Sequence, residues 1–263
     1  LLRFRTPSVG DAVNIHFRPV TVVKSVVESA GNPVGDAIAY SIKTNGTATL
    51  RSVLSADGKP TQRYIAPPDF INQLQAKVTA PIYFDTEIHS GMLDGAPTIS
   101  TIPMPILMKI LGYESNVKFD AVTGFTITAE LFSTNLCATL YFPDPSLEYY
   151  RASITDNKLI IEFALPNRSR NEIADIKKRV EGMQFWDRYS IAGKVLSHFG
   201  MAASFIKDEV CPAKMQSYAK ILPIDDNERK RFMLWATEKH NIYSLGRFAT
   251  WRPSVLLDDV LND

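Results

Sequence analysis

The stretch Asn241-Ile-Tyr-Ser-Leu-Gly-Arg-Phe-Ala-Thr-Trp-Arg-Pro-Ser-Val-Leu-Leu-Asp-Asp-Val-Leu-Asn-Asp263 decides how the rest of the chain is read. Its first apolar run, Ile242 to Leu245, has the length and composition of a strand. The run stops at Gly246, where the missing side chain lets backbone come close to a ligand. Two guanidinium groups, Arg247 and Arg252, follow, with the indole of Trp251 between them. Fork-shaped donors beside an aromatic wall suit a planar, anionic group. A second apolar run then leads into Asp258-Asp259.

A strand closed by Gly-Arg and followed by a helix resembles the carboxy-terminal flavin-binding segment of the UDP-galactopyranose mutase and amine-oxidase superfamily. The resemblance implies FAD as cofactor, with Gly246, Arg247, Trp251 and Arg252 beside it. Two other segments are similar in the same order. Pro97-Thr-Ile-Ser-Thr-Ile-Pro-Met-Pro-Ile-Leu-Met-Lys-Ile-Leu-Gly112 reads as a β-branched strand turning through Pro103 and Pro105 into an amphipathic helix capped by Gly112. It looks like the superfamily's strand that ends near the flavin, which implies cofactor contacts at Thr101 and Pro103. An ordinary strand-to-helix corner also accounts for it.

Tyr141-Phe-Pro-Asp-Pro-Ser-Leu-Glu-Tyr-Tyr-Arg-Ala-Ser-Ile154 is similar to the mutase segment that carries a substrate-binding arginine, and so implies substrate contacts at Arg151 and Tyr150. An arginine after two tyrosines on a strand can present a fork suited to phosphate or carboxylate. The same arginine can instead form a cross-strand ion pair with Glu148 or Glu162. Lys220-Ile-Leu-Pro-Ile-Asp-Asp-Asn-Glu continues the parallel, as a Pro-Ile turn and an acidic helix ahead of Gly-Arg.

Departures from the superfamily pattern narrow the chemistry. Where the mutases carry Tyr-x-Tyr-x-Asp after Gly-Arg, this chain has Trp251, Pro253 and Val255, and Leu222 stands where a tyrosine precedes Pro-Ile. Those changes remove aromatic and acidic support for a mutase reaction and leave a redox role. None of the 13 glycines sits in a G-x-G-x-x-G turn, the motif that holds a dinucleotide's pyrophosphate at a helix N-terminus. The expectation is that this unit lies upstream of Leu1, comes from a second chain, or has been lost. If it lies upstream, Arg3 and Arg5 on either side of Phe4 would reach the FAD phosphates or adenosine next. Otherwise they form a solvated chain end.

Along the rest of the chain, Val20 to Val27 reads as a strand or a short helix, and Gly31-Asn-Pro and Asn45-Gly46 as turns. Thr47 to Arg51 and Gln62 to Ile65 read as a hairpin. Pro67-Pro68-Asp69 starts a helix whose apolar face is Phe70, Ile71, Leu74 and Val78, stopped by Pro81. Ile82 to Ile88 alternates as a strand. Four segments between Phe119 and Phe163 form an antiparallel sheet with a tight hairpin at Asp156-Asn157. Helices are expected over Glu172 to Gly182, Phe185 to Phe199 and Asp226 to His240.

The fold class is therefore α/β with α+β character. A partial FAD-binding domain (1–66, 95–112 and 241–263) is interrupted by an antiparallel-sheet substrate-binding domain with helices (67–94 and 113–240).

Composition excludes several classes. With 29 Lys plus Arg against 28 Asp plus Glu, the net charge of +1 gives no footprint for nucleic acid. The apolar stretch Ile102 to Leu111 is interrupted by two prolines and a lysine and falls short of the roughly 20 residues of a membrane span. With no signal peptide at the start of the chain, and with Cys137 and Cys211 read as buried free thiols, a cytoplasmic location is expected. The four histidines are scattered without metal-ligand spacing, no serine has a nucleophile-elbow context, and Trp186 and Trp235 read as core anchors.

The leading function is a FAD-dependent oxidoreductase acting on a small amine- or alcohol-bearing substrate, with no catalytic residue assigned. A flavin-dependent nucleotide-sugar mutase and a non-catalytic binding or assembly protein on a degenerate flavoprotein fold are the alternatives.

Overall fold

The computed structural model describes residues 2–29, 31–50, 56–93, 95–132 and 134–261. In chain order the elements are β1 (Arg3–Phe4), α1 (Ser8–Ala12), β2 (Arg18–Val26), α2 (Pro33–Asn45), β3 (Thr61–Ile65) and α3 (Phe70–Lys77). Next come β4 (Thr98–Ser100), α4 (Met104–Leu111), β5 (Ala121–Leu131), β6 (Cys137–Tyr141), β7 (Tyr149–Thr155) and β8 (Lys158–Leu165). The chain ends with α5 (Arg170–Glu181), α6 (Phe185–His198), β9 (Ile206–Val210), β10 (Lys214–Ile221), α7 (Asp226–His240), β11 (Ile242–Ser244), α8 (Gly246–Ala249) and α9 (Leu257–Val260). The class is mixed α/β, as expected.

The chain divides into two compact units. Unit 1 comprises residues 1–19, 64–120 and 221–263, and unit 2 comprises 20–63 and 121–220. This differs from the division expected from sequence. Residues 20–63 join the sheet unit because β2 pairs in parallel with β6, from Val23↔Ala138 to Val26↔Tyr141. Residues 221–240 stay with the final segment because α7 packs on β11. Such pairings between distant stretches leave no local mark in the sequence.

In unit 2 the sheet runs β3-β2-β6-β7-β8-β5-β10, and β9 also pairs with β5. The four strands β5 to β8 are antiparallel neighbours, as their alternation indicates. On β5 the inward positions Ile127, Ala129 and Leu131 recur every second residue. They meet Ile154, Leu159 and Ile161 of the neighbouring strands, and Ala192, Val195 and Leu196 of α6, in one core. Asp156, at φ 53°, makes the expected tight turn.

Helix α2 is where turn signals were expected. The Asn32 side chain accepts the Gly35 N–H at 2.7 Å, Pro33 takes the first helical position, and Gly46 at φ 75° ends the helix. Asn-Pro and Asn-Gly are turn words that also delimit helices. The expected hairpin is not formed, for Thr47 to Leu50 are irregular, Arg51 lies outside the described residues, and β3 pairs with β1 and β2.

Trp186 is not a core anchor but 74% exposed. The inward stripe of α6 passes through Phe185, Tyr189, Ala192 and Leu196 at helical spacing, and one residue off that stripe turns the indole about 100° away.

Unit 1 has its own aromatic core. Phe4 packs 4.8 Å from Phe17 and 6.2 Å from Phe70, centroid to centroid. This anchors β1, which pairs with β3 through Arg3↔Ile65 and Phe4↔Tyr64, so the amino-terminal arginines are not on a loose end. Helix α3 forms after Asp69 and buries Phe70, while Ile71 and Val78 face outward. Residues 82–88 are exposed and irregular, not a strand. Alternation gives a strand a face, but no ladder partner meets this one among the described residues. Helix α4 follows β4 as expected and is closed by Gly112 at φ 69°.

Candidate functional site

The two segments singled out for a cofactor lie side by side in unit 1. Strands β4 and β11 form a parallel ladder, Ile242↔Thr98, Tyr243↔Ile99 and Ser244↔Ser100. Beyond it the Leu245 N–H donates to the Ser100 carbonyl at 2.9 Å. Thr101-Ile102-Pro103 and Gly246-Arg247 thus leave the same carboxyl edge together, the edge at which open parallel sheets bind ligands.

Gly246 has φ 85°, and a Cβ built there would meet only Val260 Cγ2, at 3.9 Å. The backbone conformation, not crowding, selects glycine. The Ser244 hydroxyl, buried at the same edge, has no hydrogen-bond partner among the described residues. Thr101 is exposed and Pro103 half-buried as the residue preceding α4.

The side chains around this edge are largely engaged with the protein itself. Arg247 Nε donates to the Val255 carbonyl at 2.8 Å, closing the turn that holds α8. Arg252 Nε donates to Thr250 Oγ1 at 3.2 Å. Trp251 is 1% exposed, stands edge-on to Phe119 at 5.0 Å, and donates its indole N–H to the Leu222 carbonyl at 2.9 Å. It is a core residue of unit 1, with no face open to a ligand. Val255 is buried too. Arg3 sits half-buried in β1. The Arg5 and Thr6 amides donate to Asp258 Oδ1 at 2.9 and 3.1 Å, and the Arg5 guanidinium lies 3.5 Å from Asp259.

The arrangement presents mainly backbone at this edge. A glycine without obstruction, an unpartnered buried hydroxyl and the two chain ends of a parallel ladder converge there. Arg247 adds positive charge from a turn that its own hydrogen bond stiffens.

One face of the ladder is largely open among the described residues. Ile242 and Ser100 are buried, while Ile99 and Tyr243, opposite one another on the other face, are 70% and 50% exposed. Parallel sheets otherwise have both faces covered.

The predicted substrate residues lie in unit 2. On β7, Tyr149 pairs with Phe163 and Arg151 with the next residue of β8, Glu162, so Tyr150 is an extra residue in the ladder. A bulge of this kind re-aims side chains. Here both Tyr150 and Arg151 reach the same carboxylate, although consecutive strand residues ordinarily point apart. Glu162 Oε1 accepts from Arg151 Nη2 at 2.5 Å and from the Tyr150 hydroxyl at 3.2 Å, and Oε2 accepts from Arg151 Nε. Of the ion pairs open to Arg151, the one with Glu162 forms.

Three residues that sequence reasoning did not assign complete this cluster. Tyr40 of α2 packs edge-on to Tyr141 at 5.5 Å and to Tyr150 at 6.0 Å. Lys220 Nζ stands 5.0 Å from the Tyr150 ring centroid and 5.4 Å from that of Tyr40, within cation–π range. Burial, and then the Arg151 charge, lower the Lys220 pKa to about 8. Burial raises the Tyr40 and Tyr150 pKa values, keeping both hydroxyls neutral. Lys220 was legible only as the start of a Pro-Ile turn, because its neighbours come from α2 and β7.

On another part of unit 2, Phe125, Leu147, Phe163 and Ile176 floor a cavity of about 520 Å³ with Lys43 on its wall. Lys43 donates to the carbonyls of Phe142 and Asp144 at 2.9 and 2.6 Å, and burial lowers its pKa to about 8.

Among the described residues no group of three His, Cys, Asp or Glu side chains could hold a metal ion, and no helix is long and apolar enough to cross a membrane. No protein-family profile and no curated protein matches the chain.

Proposed function

We propose that the protein is a FAD-dependent oxidoreductase acting on an amine- or alcohol-bearing small molecule, with its dinucleotide-binding unit supplied from outside residues 1–263. The observation that carries this reading is the shared carboxyl edge of β4 and β11, where Thr101-Ile102-Pro103 meets Gly246-Arg247. The largely open Ile99–Tyr243 face supports a further α/β unit docking on the ladder, since parallel strands are ordinarily covered on both sides.

When bound, the flavin supplies two-electron redox chemistry. The chain's own part is to hold it. The backbone at Gly246 and at Thr101 to Pro103 would hold the flavin, and Arg247 would add positive charge that favours its reduced, electron-rich form. Unit 2 binds the substrate. Val255, at the position of the mutases' aspartate, is buried, and this favours the redox reaction over sugar isomerisation. The free thiols Cys137 and Cys211 suit a reducing cytoplasm.

The test uses the protein isolated from the cells that make it, with any partner chain retained. A flavin absorbance spectrum, release of FAD on denaturation, and bleaching by amines or alcohols but not by nucleotide sugars are expected. Folded, colourless protein that takes up no added FAD would sink the proposal. Gly246→Ala, which forces a side chain into positive φ at about 1–2 kcal/mol, should lower flavin occupancy several-fold while near-ultraviolet dichroism shows Trp251 still packed.

A further inference from the structure

We infer that Lys220 and the outer edge of Arg151 form a receptor for one oxyanion, the carboxylate or phosphate group of a substrate. The inference deepens the proposed function by giving the substrate a charge, and it rests on unit 2 being the substrate-binding part.

The cluster holds two cations and one carboxylate. Glu162 accepts from Arg151 twice and from Tyr150 once, and it acts on Lys220 through charge alone, with no hydrogen bond or ion pair between them. Lys220 makes no hydrogen bond or ion pair among the described residues, although its ammonium carries three donors. The ring faces of Tyr40 and Tyr150 offset part of its charge but offer the donors no in-line acceptor. Arg151, with its side chain 37% exposed, commits Nε and Nη2 to Glu162 and leaves Nη1 without a partner among the described residues. An oxyanion would bring the missing negative charge and the missing lone pairs together.

The groups facing Lys220 come from three elements: Tyr40 on α2, Tyr150 and Arg151 on β7, and Glu162 on β8. Tyr40 and Tyr150 stay neutral and Arg151 stays charged. Lys220 therefore governs the site's response to alkaline pH. It is cationic below about 8 and neutral above, so anion affinity falls as pH rises through that value.

The experiment titrates inorganic phosphate and, separately, acetate into the folded chain by calorimetry at about pH 7 and about pH 9, with wild type, Lys220→Met and Lys220→Arg. At least one anion should bind the wild type at the lower pH. Its affinity should fall about tenfold at the higher pH, as the ammonium loses its proton. Lys220→Met should weaken binding at least ~10-fold and Lys220→Arg should retain it. Binding of phosphate alone, acetate alone or both supports the site and names its ligand class. Neither anion binding, equal binding by Lys220→Met, or acetate binding that does not fall with pH would overturn it. If Lys220→Met does not fold, Lys220→Gln and the acetate pH series decide. Flavin content is read on the protein isolated with any partner chain retained, where the same anion titrations are repeated: flavin present without anion binding rejects this site, and anion binding without any flavin, bound or taken up from added FAD, rejects the redox reading instead.

Discussion

The carboxy-terminal turn of unit 1 and the tyrosine cluster of unit 2 are both made of cations beside aromatic rings. They use those groups in opposite ways. In the turn, Trp251 is buried with its indole N–H satisfied, Arg247 clasps the Val255 carbonyl, and Arg252 bonds Thr250. What remains open to a ligand is mainly backbone. In the cluster, one carboxylate takes two of Arg151's three guanidinium nitrogens, and Lys220 is left among ring faces. Residue type is the same in the two places, and the number of acceptors within reach makes the difference.

Three substitutions or conditions separate the two regions, beginning with the largest effect. Trp251→Ala removes a fully buried side chain together with its hydrogen bond and should cost about 3–5 kcal/mol by urea denaturation. A cost below about 1 kcal/mol would show that the indole is not part of the core and reopen it as a ligand contact.

Glu162→Gln acts on the other region, where it strips Arg151 of its counter-charge. Because that guanidinium is partly exposed, the expected loss is only about 1–2 kcal/mol after solvent screening. Phosphate or acetate affinity should rise at the same time, since two cations then face the site. Lower stability with unchanged anion affinity would remove Arg151 from the receptor.

The smallest effect is on pH dependence. Lys43 and Lys220 have folded-state pKa values of about 8, against about 10.4 in an unfolded chain. Between those values the unfolded state binds more protons, so stability rises with pH, and the gain is lost as pH falls through about 8. Partial exposure holds it below about 1 kcal/mol. Above pH ~10 the raised pKa values of Tyr40 and Tyr150 reverse the slope, because the unfolded tyrosines lose protons first. Urea midpoints measured in steps across this range test the sign. A flat profile would mean that both ammonium groups are as well solvated in the folded protein as in the unfolded chain.

Much of the frame was legible because its causes are local. Gly112 and Gly246 mark where a helix and a strand end, and each has a positive φ. Asp225 and Asp226 both suit the start of α7, and it is the Asp225 carboxylate that accepts the Glu228 N–H at 2.8 Å. The period of two over β5 to β8, with Asp156-Asn157 between the last two strands, was enough for an antiparallel sheet. Where two local meanings compete, neighbouring residues alone do not choose between them. Asn32-Pro33 is a turn signal and also the start of α2, and Ile82 to Ile88 alternates without a partner strand. Trp186 lay near an apolar stripe but one residue outside it.

By itself, then, the sequence determined the mixed α/β class, the strands β5 to β8, the helices α4 to α7 and the glycine-closed corner at Gly246. Each follows from hydrogen bonds and steric preferences that span only a few residues. Tertiary structure alone decided that β2 joins β6, that β4 lies beside β11, that Glu162 rather than Glu148 takes Arg151, and that Lys220 reaches Tyr40 and Tyr150. Those outcomes depend on which distant segments the folded backbone brings within the 3–6 Å over which hydrogen bonds and ring contacts act, and no window of neighbouring residues contains that information.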